Sequence, residues 1–137
     1  MKDLYTAHVT VTSGRDGSAR SSDARLDLPL GFPKELGGDG AATNPEQLFA
    51  AGYAACFASS IKGAARALGV GVSLTSVSGE ATLSLRDDGS YTVSQVQLTV
   101  RASGWGDDAQ RVIDEAKRIC AYSNATRGNV LTDVQLG

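Results

Sequence analysis

The sequence predicts an α+β protein, a mostly antiparallel sheet around one long, buried central helix. Three observations carry this. The stretch from Thr43 to about Leu68 is rich in alanine and apolar on most of its sides, which marks a buried helix rather than a surface one. On either side of it, apolar and polar residues alternate with a period of two, the mark of strands. A second run (Ala109, Val112, Ile113, Ala116, Ile119 and Cys120) keeps the spacing of an amphipathic helix. In order these elements read β-β-α-β-β-α-β, with antiparallel pairing from two hairpins.

Each element has local reasons. Tyr5, Ala7, Val9 and Val11 alternate with Thr6, His8, Thr10 and Thr12, as in a half-buried strand. Ser13-Gly14-Arg15-Asp16-Gly17 is a turn, loose in appearance because glycine flanks Arg15. The next strand runs roughly from Ser18 to Leu30, and Pro29 and Pro33 mark its end or an edge. Leu36 to Ala42 reads as a flexible, glycine-rich loop. Thr43 or Asn44 can cap the long helix, Pro45 suits its first position, and Glu46 complements the helix dipole. Gly69 and Gly71 stop it. Val77, Ala81, Leu83 and Leu85 then share one parity. After the turn Asp87-Asp88-Gly89-Ser90, Tyr91 and Val93 lie on one parity and Val96, Leu98 and Val100 on the other. That switch predicts a bulge near Ser94-Gln95. Asp107 or Asp108 caps the second helix, and Gly128 to Leu136 is a last strand.

At 137 residues the chain fits a single domain, 1–137. So apolar a helix in so small a chain calls for a second subunit to cover it. The net charge of −2 argues against nucleic acid or anionic membrane as a partner. There is no apolar run of about 18 residues to span a membrane. Met1-Lys2-Asp3-Leu4 lacks a signal-peptide core, so the expected location is cytoplasmic. In that compartment two cysteines are free or redox-active rather than a structural staple.

Several chemistries lack material. The one histidine, His8, alternates within a strand, so neither a histidine triad nor a zinc site can be assembled. Gly37-Gly38-Asp39-Gly40 lacks the lysine of a phosphate-binding loop. What remains is sulfur: Cys56 and Cys120, one on each predicted helix. Spacing alone leaves two readings open, two inert buried thiols or a reactive pair.

The residues around the cysteines separate these readings. Cys120-Ala121-Tyr122-Ser123-Asn124-Ala125-Thr126-Arg127-Gly128-Asn129 is polar and non-periodic. Together with Asn44-Pro45-Glu46-Gln47-Leu48-Phe49-Ala50-Ala51-Gly52-Tyr53-Ala54-Ala55-Cys56-Phe57, it closely resembles the Ohr branch of the Ohr/OsmC family, the organic hydroperoxide resistance proteins. Tyr5-Thr6-Ala7, Gly14-Arg15-Asp16-Gly17, Ser21-Ser22-Asp23 and Glu35-Leu36-Gly37-Gly38 match as well. The resemblance implies an OsmC-like fold, an intertwined homodimer with two active sites at the subunit interface, and a thiol peroxidase acting on fatty-acid or alkyl hydroperoxides. By position, Cys56 corresponds to the peroxidatic cysteine and Cys120 to the resolving cysteine. Arg15 and Glu46 correspond to the Arg and Glu around the reactive thiol. No metal, haem or flavin is implied; the implied reductant is a dihydrolipoyl group on a lipoylated protein. Rival readings are an OsmC-branch peroxidase of different peroxide preference and a non-catalytic acyl-binding dimer with inert thiols.

Elementary chemistry runs alongside. A thiolate, not a thiol, attacks an O–O bond, and a buried Cys56 titrates high unless a cation stands beside it. Lys62 and Arg66 are not one turn away. Arg15, held by a bidentate pair with Glu46, is the candidate cation. On an unbroken helix, however, Glu46 and Cys56 lie ~15 Å apart along the axis. Either the helix breaks, at Gly52, or the groups around one thiol come from two chains. Disulfide formation further requires the two cysteine Cα atoms to come within about 6 Å. Phe49, Tyr53 and Phe57 offer an apolar surrounding that suits an acyl chain or plain core. The family usually carries proline after the second cysteine, where this chain has Ala121. Proline would hold Cys120 out of helical geometry, so Ala121 leaves the second helix free to run on through it.

Overall fold

The computed structural model describes all residues, 1–137, and its contacts divide the chain into two compact units, Met1–Leu48 and Phe49–Gly137. The first unit is a small antiparallel sheet of order β1-β2-β3, with β1 at Val9–Thr12, β2 at Ser18–Ser21 and β3 at Asp27–Pro29. The expected second strand is thus two strands. The Ser21 hydroxyl bonds the Asp23 carboxylate at 2.6 Å and takes the Leu26 amide at 2.9 Å, folding the chain back between them. Pro29 ends β3, which is an edge strand, where a missing donor costs no ladder bond. The first strand is shorter than expected and is not half-buried. Val9 and Val11 are 51% and 53% exposed, because nothing in this unit covers that face.

The glycine-rich loop is also more ordered than its composition suggests. Lys34–Leu36 forms one 3₁₀ turn, the Gly38 amide donates to Pro33 C=O at 3.0 Å, and Gly40 N–H donates to Phe32 C=O at 3.2 Å. A parallel bridge joins Leu30 to Thr43 just before the long helix, α1, Pro45–Leu68. Asn44 is the cap: its Oδ1 accepts the Gln47 amide at 2.9 Å. The helix continues without interruption through Gly52.

In the second unit β4 (Ser73–Leu85) and β5 (Tyr91–Ser103) form a long antiparallel hairpin. The register slips where the parity switch predicts: Thr82 pairs with Gln95 and Leu83 with Val93, leaving Ser94 as the extra residue. Two helices follow, α2 at Ala109–Ile119 and α3 at Ala121–Thr126, then β6 at Leu131–Leu136, parallel to β5. The third helix is absent from the sequence reading, and β6 returns parallel because the two helices carry the chain back along the sheet.

Tyr53, Phe57, Ile61, Ala64 and Ala65 of α1 pack with Val96, Leu98 and Val100 of β5 and Val112, Ile113 and Ala116 of α2. Each large side chain here contributes about 1.5–3 kcal/mol by leaving water. The burial of α1 is one-sided: Ala51, Ala55, Ser59, Lys62 and Arg66 form an exposed stripe. Small residues do let other backbones come close. A Cβ on Gly79 of β4 would stand 2.9 Å from the Ala50 carbonyl, and a Cβ on Gly52 would overlap the Tyr122 hydroxyl.

Gly52→Ala is therefore expected to displace Tyr122 and to cost about 1–3 kcal/mol, measured by urea unfolding. Unchanged stability would mean that the ring has another place to go.

Candidate active site

The four candidate residues come together as two pairs. In the first unit, Arg15 stands on the connection between β1 and β2. That turn is closed, not loose. Gly14 N–H donates to Thr12 C=O and Gly17 N–H to Gly14 C=O, both at 3.1 Å, and the Ser13 hydroxyl bonds Asp16 at 2.8 Å. A Cβ on Gly17 would overlap the Thr12 carbonyl, so the turn demands glycine there. Arg15 Nη1 donates to Glu46 Oε2 at 2.8 Å, and Nη2 to Oε1 at 2.7 Å. This is the fork-to-fork geometry expected of the pair. The Arg15 and Glu46 side chains are only 32% and 15% exposed. The Arg15 hydrogen bonds hold the Glu46 pKa below the ordinary carboxylate value; burial opposes the shift without cancelling it.

In the second unit, Cys56 lies mid-way along α1, half-buried, and Cys120 is fully buried. Both are free thiols, and their Sγ atoms are 3.4 Å apart, so one can hydrogen-bond the other. Closing them to a disulfide needs an approach of only about 1.4 Å. Burial pushes the Cys120 thiol up, but the Ser123 amide and hydroxyl, the Cys56 thiol and the Tyr122 amide together bring it below the ordinary cysteine value.

Cys120 is held by its neighbours in the chain. The second helix does not run on through it, despite Ala121. Cys120 has φ −70° and ψ 125°, an extended conformation between α2 and α3. Two side chains take up carbonyls at the end of α2: Asn124 Nδ2 donates to Arg118 C=O at 3.1 Å and Arg127 Nη2 to Lys117 C=O at 3.0 Å. Arg127 Nη1 also bonds Asn124 Oδ1 at 2.6 Å. These side chains do for the helix end what a proline would do sterically. The polar segment after Cys120 is thus a capping device.

The aromatic residues divide. Tyr53 and Phe57 are completely buried and belong to the core, whereas Phe49 is half-buried. The Tyr122 ring stacks on Tyr53 with centroids 5.5 Å apart and meets Phe49 edge-on at 6.0 Å. Sequence reasoning did not find the hydroxyl cluster behind Cys120, where Tyr53 Oη lies 3.1 Å from Ser123 Oγ and 3.3 Å from Thr126 Oγ1. Only the density of hydroxyl residues after Cys120 hints at it.

Residues 37–135 match the family model described as OsmC-like protein. The chain belongs to the Ohr/OsmC family. Within the family it sits in the organic hydroperoxide resistance branch. It is 44% identical to an organic hydroperoxide resistance protein of Xanthomonas axonopodis pv. citri, covering 94% of this chain and 92% of that protein. An organic hydroperoxide resistance protein of Legionella pneumophila superposes with a TM-score of 0.94 at 39% identity, covering 99% of each chain. OhrB of Bacillus subtilis superposes at 0.88 with 36% identity, covering 98% of this chain and all of that one. The α+β arrangement of antiparallel strands and a long helix is thus the Ohr/OsmC arrangement.

The lowered Glu46 pKa gives a pH dependence. A carboxylate that titrates lower in the folded state adds stability above its unfolded pKa of about 4.3 and loses it as the pH falls through the folded value. Wild type and Glu46→Gln should therefore differ most in urea unfolding at neutral pH and converge in acid. A difference that persists unchanged into acid would show that the ion pair is not its source.

Proposed function

We propose that the protein is a cysteine-based peroxidase that reduces organic hydroperoxides to alcohols. The observation that carries this reading is the 3.4 Å separation of the reduced Cys56 and Cys120 sulfurs. The names of the relatives, organic hydroperoxide resistance proteins, support the substrate class.

In this reading the Cys56 thiolate attacks one peroxide oxygen. The O–O bond breaks, the alkoxide leaves and is protonated to the alcohol, and Cys56 becomes a sulfenic acid. Cys120 attacks that sulfur, releasing the oxygen as water and closing a disulfide. A dithiol, by family resemblance a protein-bound dihydrolipoyl group, returns the pair to thiols by exchange. No metal or organic cofactor takes part. Half-burial of Cys56, on a helix that also carries the half-buried Phe49, favours an alkyl or fatty-acid hydroperoxide.

The Arg15–Glu46 pair supplies the cation that a thiolate needs. Because α1 is unbroken, Glu46 and Cys56 are separated by ~15 Å along its axis. We therefore assign the pair to the thiol of a second copy in an intertwined homodimer. The exposed Ala51, Ala55, Val9 and Val11 are the apolar surface such a copy would cover.

The test is thiol count and mass after one equivalent of an alkyl hydroperoxide. Wild type should lose both thiols to a Cys56–Cys120 bond, and Cys120→Ser should accumulate sulfenic or sulfinic Cys56. Unchanged thiols in both proteins would sink the peroxidase reading and leave a binding dimer with inert sulfur.

A further inference from the structure

We propose that the cavity enclosed by the end of α2, α3 and the chain entering β6 binds a small oxyanion, a phosphate or carboxylate group, between Lys117 and Arg127. None of the four candidate active-site residues lines it. No step of the peroxidase chemistry passes through it.

The first argument is charge. The cavity has a volume of about 230 Å³, and its walls include Lys117, Arg127 and the hydroxyl residues Tyr53, Ser123 and Thr126. No aspartate or glutamate lines it, in a chain whose net charge is −2. The other cations of α2 are compensated: Arg111 pairs with Asp108 at 3.0 Å and Arg118 with Glu115 at 2.6 Å. The half-buried Lys117 enters none of the ion pairs. Arg127 bonds only neutral acceptors, Asn124 Oδ1 at 2.6 Å and the Lys117 C=O at 3.0 Å. These bonds fix the guanidinium without balancing its charge, and they spend two of its five N–H donors. Two like charges on one cavity repel each other, and an oxyanion between them turns that repulsion into two charge-assisted contacts.

The second argument is the supply of protons. Tyr53 is fully buried, and Ser123 and Thr126 nearly so. The Thr126 hydroxyl donates to the Tyr122 carbonyl at 2.8 Å, so toward Tyr53 it accepts. Tyr53 Oη lies 3.1 Å from Ser123 Oγ and 3.3 Å from Thr126 Oγ1. When Tyr53 donates to Thr126 and Ser123 to Tyr53, the three hydroxyls are self-contained. When Tyr53 donates to Ser123 instead, the Ser123 proton is released for an acceptor in the cavity. An oxyanion selects the second arrangement, and no heavy atom has to move. Val130 adds a partly buried apolar wall, which suits a short alkyl tail on a carboxylate. At roughly 30 Å³ for each water molecule, the cavity is large enough for such a group.

The experiment titrates the reduced full chain with inorganic phosphate and, separately, with butyrate, at constant ionic strength set by chloride. Calorimetry reads affinity, and backbone amide NMR reads location. At least one probe should saturate a single site with a Kd on the order of 1 mM. The shifts should centre on Lys117, Ser123, Gly128 and Val130. The tighter probe tells a phosphate site from a carboxylate site. Lys117→Met, which keeps the stem and removes the charge, should weaken binding roughly tenfold. Lys117→Arg should stay within about twofold of wild type, because the charge is kept. Arg111→Gln, which removes a paired cation of the same helix, should bind like wild type. Arg127 also caps α2, so Lys117→Met is the deciding variant. Saturation by neither probe, parental affinity in Lys117→Met, or shifts centred on Arg15 would overturn the proposal. The titration needs no peroxide, so failure of the peroxidase reading would appear separately, as unchanged wild-type thiols after hydroperoxide.

Discussion

The close approach of α3 to α1 is the constraint on which the second unit depends. Two thiols come to 3.4 Å only if their backbones are held near one another. Gly52 permits this, because a side chain there would occupy the place of the Tyr122 hydroxyl. The Tyr122 ring can then stack on Tyr53 and meet Phe49, fixing the first turn of α3 against α1. Cys120, one step before that turn, is carried to Cys56. A residue that looks like a weak point in a long helix is therefore the contact that brings the sulfurs together.

The end of α2 solves a second problem. A helix that continued through Cys120 would turn its sulfur with the helical rotation and leave α3 no room to fold back. Asn124 and Arg127 take up the carbonyls of Arg118 and Lys117, so α2 can stop at Ile119 with these two acceptors satisfied. Cys120 then adopts an extended conformation, and its own carbonyl accepts the Asn124 amide at 2.9 Å, opening α3. Side-chain capping replaces a ring constraint, and the backbone outcome is the one a following proline would enforce.

The two candidate pairs use different physics. Arg15 and Glu46 form a partly buried bidentate ion pair, in which the carboxylate stays ionised and the guanidinium keeps a fixed orientation. The Cys120 thiol is fully buried, where charge is costly, and the nearby Tyr53, Ser123 and Thr126 hydroxyls bond one another.

Much of this was legible in the residues themselves, wherever the signal was local. The cap at Asn44, the stop at Gly69, the bulge at Ser94 and the periodic helix Ala109–Ile119 follow from capping chemistry, parity and periodicity, although the Asp108 carboxylate bonds Arg111 instead of capping that helix. The Arg15–Glu46 fork was expected from family motifs and from the geometry of guanidinium and carboxylate. The short helix after Cys120 was not legible, because Ala121–Thr126 has no apolar period and is held by contacts to residues far away in the chain. Nor was the splitting of the second strand at Asp23, the exposure of β1, or the one-sided burial of α1, since periodicity shows which residues are apolar but not what covers them. The sequence by itself pointed to most of the elements, to the cap at Asn44 and, through the family resemblance, to the four candidate residues. Tertiary structure alone decided that Cys120 leaves the helix and that Tyr53, Ser123 and Thr126 meet in one buried hydroxyl cluster. That meeting depends on side chains converging from two helices, for which no single stretch of chain carries a signal.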